Sequence, residues 1–320
     1  MKFGLTLPNR GVLFGATTAE QMLQLAEVAD RSELFQSVWV GDSLLGKPRM
    51  EAIALLCGIA ARTDRVRLGA ACLASFVLRD PVLLAYQWAS MDLLAQGRTV
   101  LVGCTGIVTQ AGGKLEAELY GVTPRDRVRR LIEWIELIKR LWTEDNVTFE
   151  GEYYRCANIT IQPKPAAKPR PPIWIASNAR GTPELIARTH RRVARRADGW
   201  QTSLSAPDDV RWRIADIRQK AAEMGRDPAS IEIHLYHNIN LNEDREAALQ
   251  ESKRFLDTYY EEDMPWERIN TWVAAGSPDQ CVEHLRVYKE MGVDEVALRI
   301  TSWNQQAQLD RVMREVLPRV

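Results

Sequence analysis

Pro171-Pro172-Ile173-Trp174-Ile175-Ala176-Ser177-Asn178 sets a short apolar run between a proline pair and a small polar pair, and Ala197-Asp198-Gly199-Trp200-Gln201-Thr202-Ser203 follows about one helix later. The first stretch reads as a buried strand ending in small polar residues. Residues 177–182 then open a helix. A strand that feeds a helix leaves backbone N–H groups directed off its end, and anions bind there. Thr202 and Ser203 end the second strand, so two neighbouring donor-lined loops are expected to share one phosphate.

Working outward, the same alternation recurs along the chain. Residues 3–7 form an apolar run stopped by Pro8-Asn9-Arg10-Gly11, and residues 37–40 end in Gly41-Asp42-Ser43. Residues 66–73 and 99–102 follow, the latter running into Gly103-Cys104-Thr105-Gly106, and residues 231–240 and 296–301 complete the set. Helical patterns separate nearly all of these strands. Thr17 and Thr18, with Glu20 and Gln21 three residues on, offer two overlapping capping boxes. Strands alternating with helices imply a parallel sheet, and eight repeats over this length fit a closed barrel better than an open sheet. The expected fold is therefore α/β, a single (β/α)8 TIM barrel over residues 1–320. It carries an insertion of short strands around residues 144–172, closed by Pro163, Pro165, Pro169, Pro171 and Pro172.

The helix expected over residues 124–142 has two apolar stripes. Val128, Leu131, Ile132, Ile135, Ile138 and Trp142 make one, and Trp134, Leu137 and Leu141 the other. That face is wider than one core requires. Two coverings are open: another subunit, or the chain's own 144–165 segment.

Composition excludes several classes of function. Formal net charge is zero, so no field steers nucleic acid or a membrane surface. No spanning run or signal pattern is evident, which points to a cytoplasmic protein. The five cysteines include no C-x-x-C pair and read as reduced thiols. No metal site is expected, because histidine occurs only four times, and His234 and His237 point to opposite faces of a strand. Neither a Gly-x-Ser-x-Gly elbow nor a phosphate-binding Gly-x-x-x-x-Gly-Lys loop is present. Acidic residues lie mainly on helices, Asp42 excepted, and that residue could equally cap the loop that follows it.

In a barrel the active site forms at the C-terminal ends of the strands. Asp42, Ser43, Cys72, Ser75, Thr105, Ser177, Asn178, Thr202, Asn238 and Asn240 gather there. Ends so rich in small residues and so poor in acids and bases suit chemistry carried by a bound cofactor. A flat ring could lie against Ala70-Ala71-Cys72 and Gly103-Cys104, with its phosphate at Ser177/Asn178 and Thr202/Ser203.

Several segments, in this order, are similar to one known family: residues 37–43, 60–69, Arg79-Asp80-Pro81-Val82, 93–98, Tyr120-Gly121-Val122, Arg127 with Glu133, Gly151-Glu152-Tyr153-Tyr154, Pro163-Lys164-Pro165, 171–175 and Ala197-Asp198-Gly199-Trp200. Over nearly its whole length the chain resembles the bacterial-luciferase-like flavin-dependent oxidoreductases, the luciferase-like monooxygenases. The resemblance implies a homodimeric barrel with FMN, or in a sister branch the deazaflavin coenzyme F420, at the strand ends. It implies a bulge at Ala71-Cys72-Leu73, often with a non-prolyl cis peptide. Cofactor contacts are then expected from Gly41, Ala71, Cys72, Leu73, Gly103, Cys104, Thr105, Ser177, Asn178, Gly199, Trp200, Thr202 and Ser203.

Asp42 and Ser43 are the catalytic candidates. Many relatives, deazaflavin enzymes especially, have Asp-His where this chain has Asp42-Ser43, and serine cannot shuttle protons near neutral pH. The leading expectation is a monooxygenase in which reduced FMN, delivered by a separate flavin reductase, reacts with oxygen to oxygenate a small organic substrate. The alternative is F420-dependent hydride transfer, and a third reading is a flavin-binding protein without turnover. Substrate walls are expected from residues 44–50, 105–113 and 263–275, with Trp266 and Trp272 as aromatic candidates.

Overall fold

The computed structural model describes residues 1–106, 111–203 and 206–320. Its strands are β1 (Lys2–Thr6), β2 (Ser37–Val40), β3 (Arg67–Ala70), β4 (Thr99–Gly103), β5 (Val147–Glu150), β6 (Arg155–Ile159), β7 (Ile173–Ala176), β8 (Gly199–Thr202), β9 (Glu232–Leu241), β10 (Val273–Gly276) and β11 (Glu295–Ile300). Eight of them close a parallel ring in the order β1-β2-β3-β4-β7-β8-β9-β11, with β11 returning to β1. The fold is a (β/α)8 barrel.

One strand escaped the sequence reading. Residues 273–276 pair with the far half of β9, Val273 opposite Asn238 and Gly276 opposite Leu241. They leave the helix Trp266–Trp272 with no turn signal between, so a Val-Ala-Ala-Gly run looked like loop. The helix Ala111–Leu119, which the sequence reading did not identify, begins within the loop wall expected at 105–113.

Helix starts follow local chemistry. Of the two overlapping boxes, the chain uses Thr18 with Gln21, whose side chain and backbone reciprocate. Pro81, Pro124, Pro183, Pro207 and Pro278 each open a helix, where a missing N–H costs nothing and φ is already suitable.

The entry end of the barrel is plugged. Trp39 and Trp174 fill its interior with Val100, Val102 and Ala297, and the His234 ring lies 4.4 Å from Trp39 and 5.3 Å from Trp174 between centroids. Buried Glu295 accepts from Ser37 Oγ, from Trp39 Nε1 at 3.0 Å and from Arg67 Nη2 at 2.8 Å. Burial alone would raise the Glu295 carboxyl, but His234, Arg67 and Ser37 outweigh it and hold the group well below its ordinary value. With this end of the interior filled by rings and an ion pair, the site described below opens at the strands' C-terminal ends.

The wide apolar face of the helix Pro124–Thr143 is covered by its own chain. Leu131, Trp134, Ile135, Leu137, Ile138, Leu141 and Trp142 are all buried. Trp142 donates to Ala85 O at 2.9 Å and Trp134 to Arg79 O at 2.8 Å, while the Tyr154 ring meets Trp134 edge-on. Glu133 accepts the backbone N–H groups of Glu152, Tyr153 and Tyr154, which fastens the antiparallel hairpin β5–β6 over the helix. The neighbouring helix layer and the insertion together therefore cover most of this face, with Val128 and Ile132 left half-buried.

Candidate active site

The site is a cavity of about 670 Å³ at the C-terminal ends of the barrel strands. That volume lies within the range of small-molecule and cofactor pockets. Its walls take shape from the turns that leave each strand.

At the end of β3 the peptide between Ala71 and Cys72 is cis. Ala71 N still bonds Val40 O at 2.8 Å and Leu73 N bonds Val102 O at 2.9 Å. The bulge is thus held from both flanking strands, with Ala71 and Cys72 facing the cavity and Leu73 facing the helix layer. Cys72 does not have the environment of a nucleophile. A hydrogen bond with Cys104, burial and the nearby Asp42 charge all push its thiol well above the ordinary value.

Asp42 fixes the next turn. Its Oδ2 accepts from Ser75 N at 2.7 Å and from Ser75 Oγ at 2.6 Å, and Arg79 links Ser75 to Glu51. Burial raises the Asp42 carboxyl, while Ser75 and Arg79 oppose that rise. The carboxylate therefore acts on the loop after its neighbouring strand rather than on its own. Ser43 Oγ accepts from Lys47 N at 2.8 Å and closes a turn that brings Lys47 into the cavity wall. Glu116 accepts from Leu45 N at 2.7 Å and Gly46 N at 2.8 Å, binding the helix Ala111–Leu119 to this turn. A Cβ at Gly112 would lie 2.3 Å from Leu45 O, so only glycine permits that approach.

On the opposite wall, Asn178 joins the ends of β7 and β8. Its Oδ1 accepts from Thr202 Oγ1 at 2.8 Å and Ser203 N at 2.9 Å, and its Nδ2 donates to Ser203 Oγ at 2.8 Å. The two loops expected to share an anion are therefore tied to each other through the Asn178 side chain, which uses the Ser203 N–H. Leu185, Thr189 and Arg192 recur at helical spacing on the adjacent helix and continue this wall.

Of the residues singled out from the sequence, Asp42, Ser43, Ala71, Cys72, Cys104, Thr105, Ser177, Asn178 and Ser203 line the cavity. Gly41, Leu73, Gly103, Gly199, Trp200 and Thr202 do not, and each has another task. Gly41 is clamped by Asn9, whose Oδ1 accepts from Gly41 N at 2.9 Å and whose Nδ2 donates to Gly41 O at 2.8 Å. Gly103 faces Leu131 and Phe76, and Gly199 makes room for the Trp174 ring at the plugged end. Trp200 lies outward beside His190 and donates to Ser177 Oγ at 3.0 Å, which positions Ser177 from behind. Asn238 and Asn240 are wholly buried and bond within the framework, to Trp272 O and Thr301 O respectively. Trp272 lines the cavity, whereas Trp266 is largely exposed. The expected wall at 105–113 lies partly outside the described residues.

Lys47, Arg49 and Arg268 line the cavity from within the expected walls 44–50 and 263–275, and Arg192, Tyr236 and Tyr260, which the sequence did not place at the site, line it as well. Several of these cations lean on aromatic rings. Lys47 sits 4.4 Å from the Tyr260 centroid, Arg49 5.5 Å from Tyr259, and Arg268 4.4 Å from Trp272. Glu262 pairs with Lys47 at 3.5 Å, but Arg49, Arg192 and Arg268 have no carboxylate within ion-pair distance among the described residues, and rings satisfy a cation only in part, so the wall favours an anionic group on whatever enters. A planar, phosphate-bearing coenzyme fits these residues: small side chains at Ala71, Cys72 and Ala74 give a flat wall, and Arg192 stands near the Ser177 loop. Among the described residues, no cluster of His, Cys, Asp or Glu is placed to hold a metal ion, and no helix is long and apolar enough to cross a membrane.

Comparison with known proteins completes the description. Residues 1–295 match the family profile of luciferase-like monooxygenases. The chain is 28% identical over 291 residues to an F420-dependent glucose-6-phosphate dehydrogenase of Nocardia farcinica, covering 84% of this chain and 83% of that protein. Among solved structures, the monooxygenase RslO1 of Streptomyces bottropensis superposes with a TM-score of 0.79 at 23% identity, covering 99% of each chain. An F420-dependent secondary alcohol dehydrogenase, solved with an F420-acetone adduct, superposes at 0.82 and 16% identity, covering 100% of this chain and 99% of that one.

Proposed function

We propose that this chain, which belongs to the luciferase-like monooxygenase family, is an oxidoreductase that uses the deazaflavin coenzyme F420 to exchange a hydride with a small hydroxyl- or carbonyl-bearing substrate. The observation that carries this reading is the sequence similarity, over 84% of this chain, to an F420-dependent dehydrogenase. It reverses the order reached from sequence alone, where FMN-dependent oxygenation came first and F420 was the alternative.

When bound, the coenzyme supplies a two-electron hydride donor or acceptor on a planar ring. The residues of the chain supply the rest. Ala71, Cys72 and Ala74 present a small-residue wall, and Asp42 holds the bulge beyond it through Ser75. Ser177 and Arg192 offer a donor and a charge for an anionic tail. Lys47, Arg49 and Arg268 favour substrates that carry a negative group.

Ser43 is the observation that keeps FMN-dependent oxygenation as a second reading, since it removes the histidine expected of a deazaflavin site. Titrating the purified protein separately with F420 and FMN, following coenzyme fluorescence, decides between them. Micromolar or tighter binding of F420 with weak FMN binding is expected. Tight FMN binding alone would overturn the F420 reading. A screen of secondary alcohols, hydroxy acids and sugar phosphates for loss of the oxidised F420 absorbance then identifies the substrate.

A further inference from the structure

We propose that the Tyr260 phenol, held between Arg299 and Tyr236 at the cavity wall, is the proton acceptor of this site and takes the place left open by Ser43. The inference rests on the hydride-transfer reading above and adds to it the group that handles the proton.

Arg299 is buried, and its polar partners among the described residues are Asn238 Oδ1 at 3.1 Å and Tyr260 OH at 3.2 Å. No carboxylate there lies within ion-pair distance of it. Its guanidinium is instead ringed by Tyr259 at 4.2 Å, Tyr260 at 5.1 Å and Tyr236 at 5.2 Å to the centroids. A buried cation without an anion is costly. The oxygen it touches can itself become an anion. Tyr236 OH lies 3.4 Å from Tyr260 OH and can donate to that oxygen once it is ionised.

Around Tyr260 the cations outnumber the acids: Lys47 sits over its ring and Arg49 and Arg268 lie nearby, Glu262 opposes them and pairs with Lys47 at 3.5 Å, and the Tyr259 ring packs edge-on. Burial would raise the Tyr260 phenol, but Arg299, Tyr236 and Arg49 outweigh it and lower the group, whereas burial holds Tyr236 well above its ordinary value. Because Arg299 donates to Tyr260 OH, the geometry makes Tyr260 the acceptor of the pair and Tyr236 its donor. In alcohol oxidation a bound deazaflavin coenzyme would supply the hydride acceptor for the C–H electron pair, and the Tyr260 phenolate would take the O–H proton as the carbonyl forms, with reduction running the reverse.

The test begins without coenzyme or substrate. Tyrosinate absorbance near 295 nm is followed against pH in the purified chain, in Tyr260→Phe and in Tyr236→Phe. One tyrosine is expected to ionise at least one pH unit before the rest. Tyr260→Phe removes that step, and Tyr236→Phe shifts it upward. A titration that Tyr260→Phe leaves unchanged overturns the proposal. Arg299→Lys, which keeps the charge and loses the directed fork, is expected to shift the step less than Arg299→Met. Because this readout needs no coenzyme, it can succeed or fail independently of the F420 reading.

With the substrate found by the coenzyme screen, Tyr260→Phe is expected to lower kcat about 100-fold, the scale of general base catalysis, with KM little changed. It should also flatten the rise of kcat with pH. A loss of less than tenfold, or a pH profile abolished by Lys47→Met and not by Tyr260→Phe, assigns the proton to Lys47 and overturns the proposal.

Discussion

Asp42 and Ser75 lie on the loops after neighbouring barrel strands, and both the N–H and the Oγ of Ser75 donate to one carboxylate oxygen of Asp42, at 2.7 and 2.6 Å. This pair locks the turn that follows the cis bulge, so it sets the shape of the cavity wall that Asp42 itself lines. Ser75→Ala keeps the backbone bond and loses the hydroxyl to both Asp42 and Arg79. It should destabilise the fold by about 1–3 kcal/mol, the cost of leaving buried polar groups unsatisfied, and weaken coenzyme binding. Urea denaturation and a fluorescence titration measure the two effects. Unchanged affinity in Ser75→Ala would show that the bulge holds its shape without this pair.

Cys72 tests whether a thiol beside the ring matters. Its proton is held by Cys104, burial and Asp42, so little thiolate is present at neutral pH to attack anything. Cys72→Ala should retain turnover within about threefold. A collapse of activity with coenzyme affinity preserved would make the sulfur a participant.

Gly112 and Gly58 make a matched pair. A methyl at Gly112 meets the backbone oxygen of Leu45 at 2.3 Å, while at Gly58 it meets only Leu23 Cδ2 at 3.4 Å. Gly112→Ala should separate the helix Ala111–Leu119 from the Lys47 turn and weaken coenzyme or substrate binding. Gly58→Ala, inside the helix Ala52–Ala60, should be neutral or stabilising by about 0.5–1 kcal/mol. Thermal denaturation and ligand titration of both variants check the contrast.

Glu295 predicts acid sensitivity. Its folded-state carboxyl is held below the ordinary 4.5 by His234, Arg67 and Ser37 against the opposing effect of burial. A depressed carboxylate stabilises the fold fully above the unfolded value, and that contribution is lost as pH falls from about 4.5 toward the folded value. Denaturation midpoints between pH 7 and pH 3 should therefore fall steeply below about 4.5 in the parent protein. Glu295→Gln should be less stable at pH 7 and show a shallower fall. Parallel profiles would mean that this carboxylate does not carry the linkage.

The barrel was legible because its signals are local. Residues 37–40 and 173–176 are apolar runs flanked by turn formers, and Thr18 announces its helix with a capping box. Strand β10 lacked such punctuation and was missed. Trp200 followed a strong strand pattern but faces the helix layer, because residues within one strand alternate between cavity and helix layer and a motif match does not say which side is which.

By itself the sequence determined the alternation of strands and helices, the insertion, the placement of Asp42, Cys72 and Ser177 at strand ends, and the substitution of Ser43 for the expected histidine. Periodicity and capping act over a few residues, and a single chain displays them openly. Tertiary structure alone decided which covering the helix Pro124–Thr143 receives, that Asp42 serves Ser75, and that Lys47, Tyr236, Tyr260 and Arg299 converge. These groups are distant in the chain and meet only when the ring closes. A buried charge finds its partners through space, and nothing in local sequence spacing records that Arg299 rests against Tyr260.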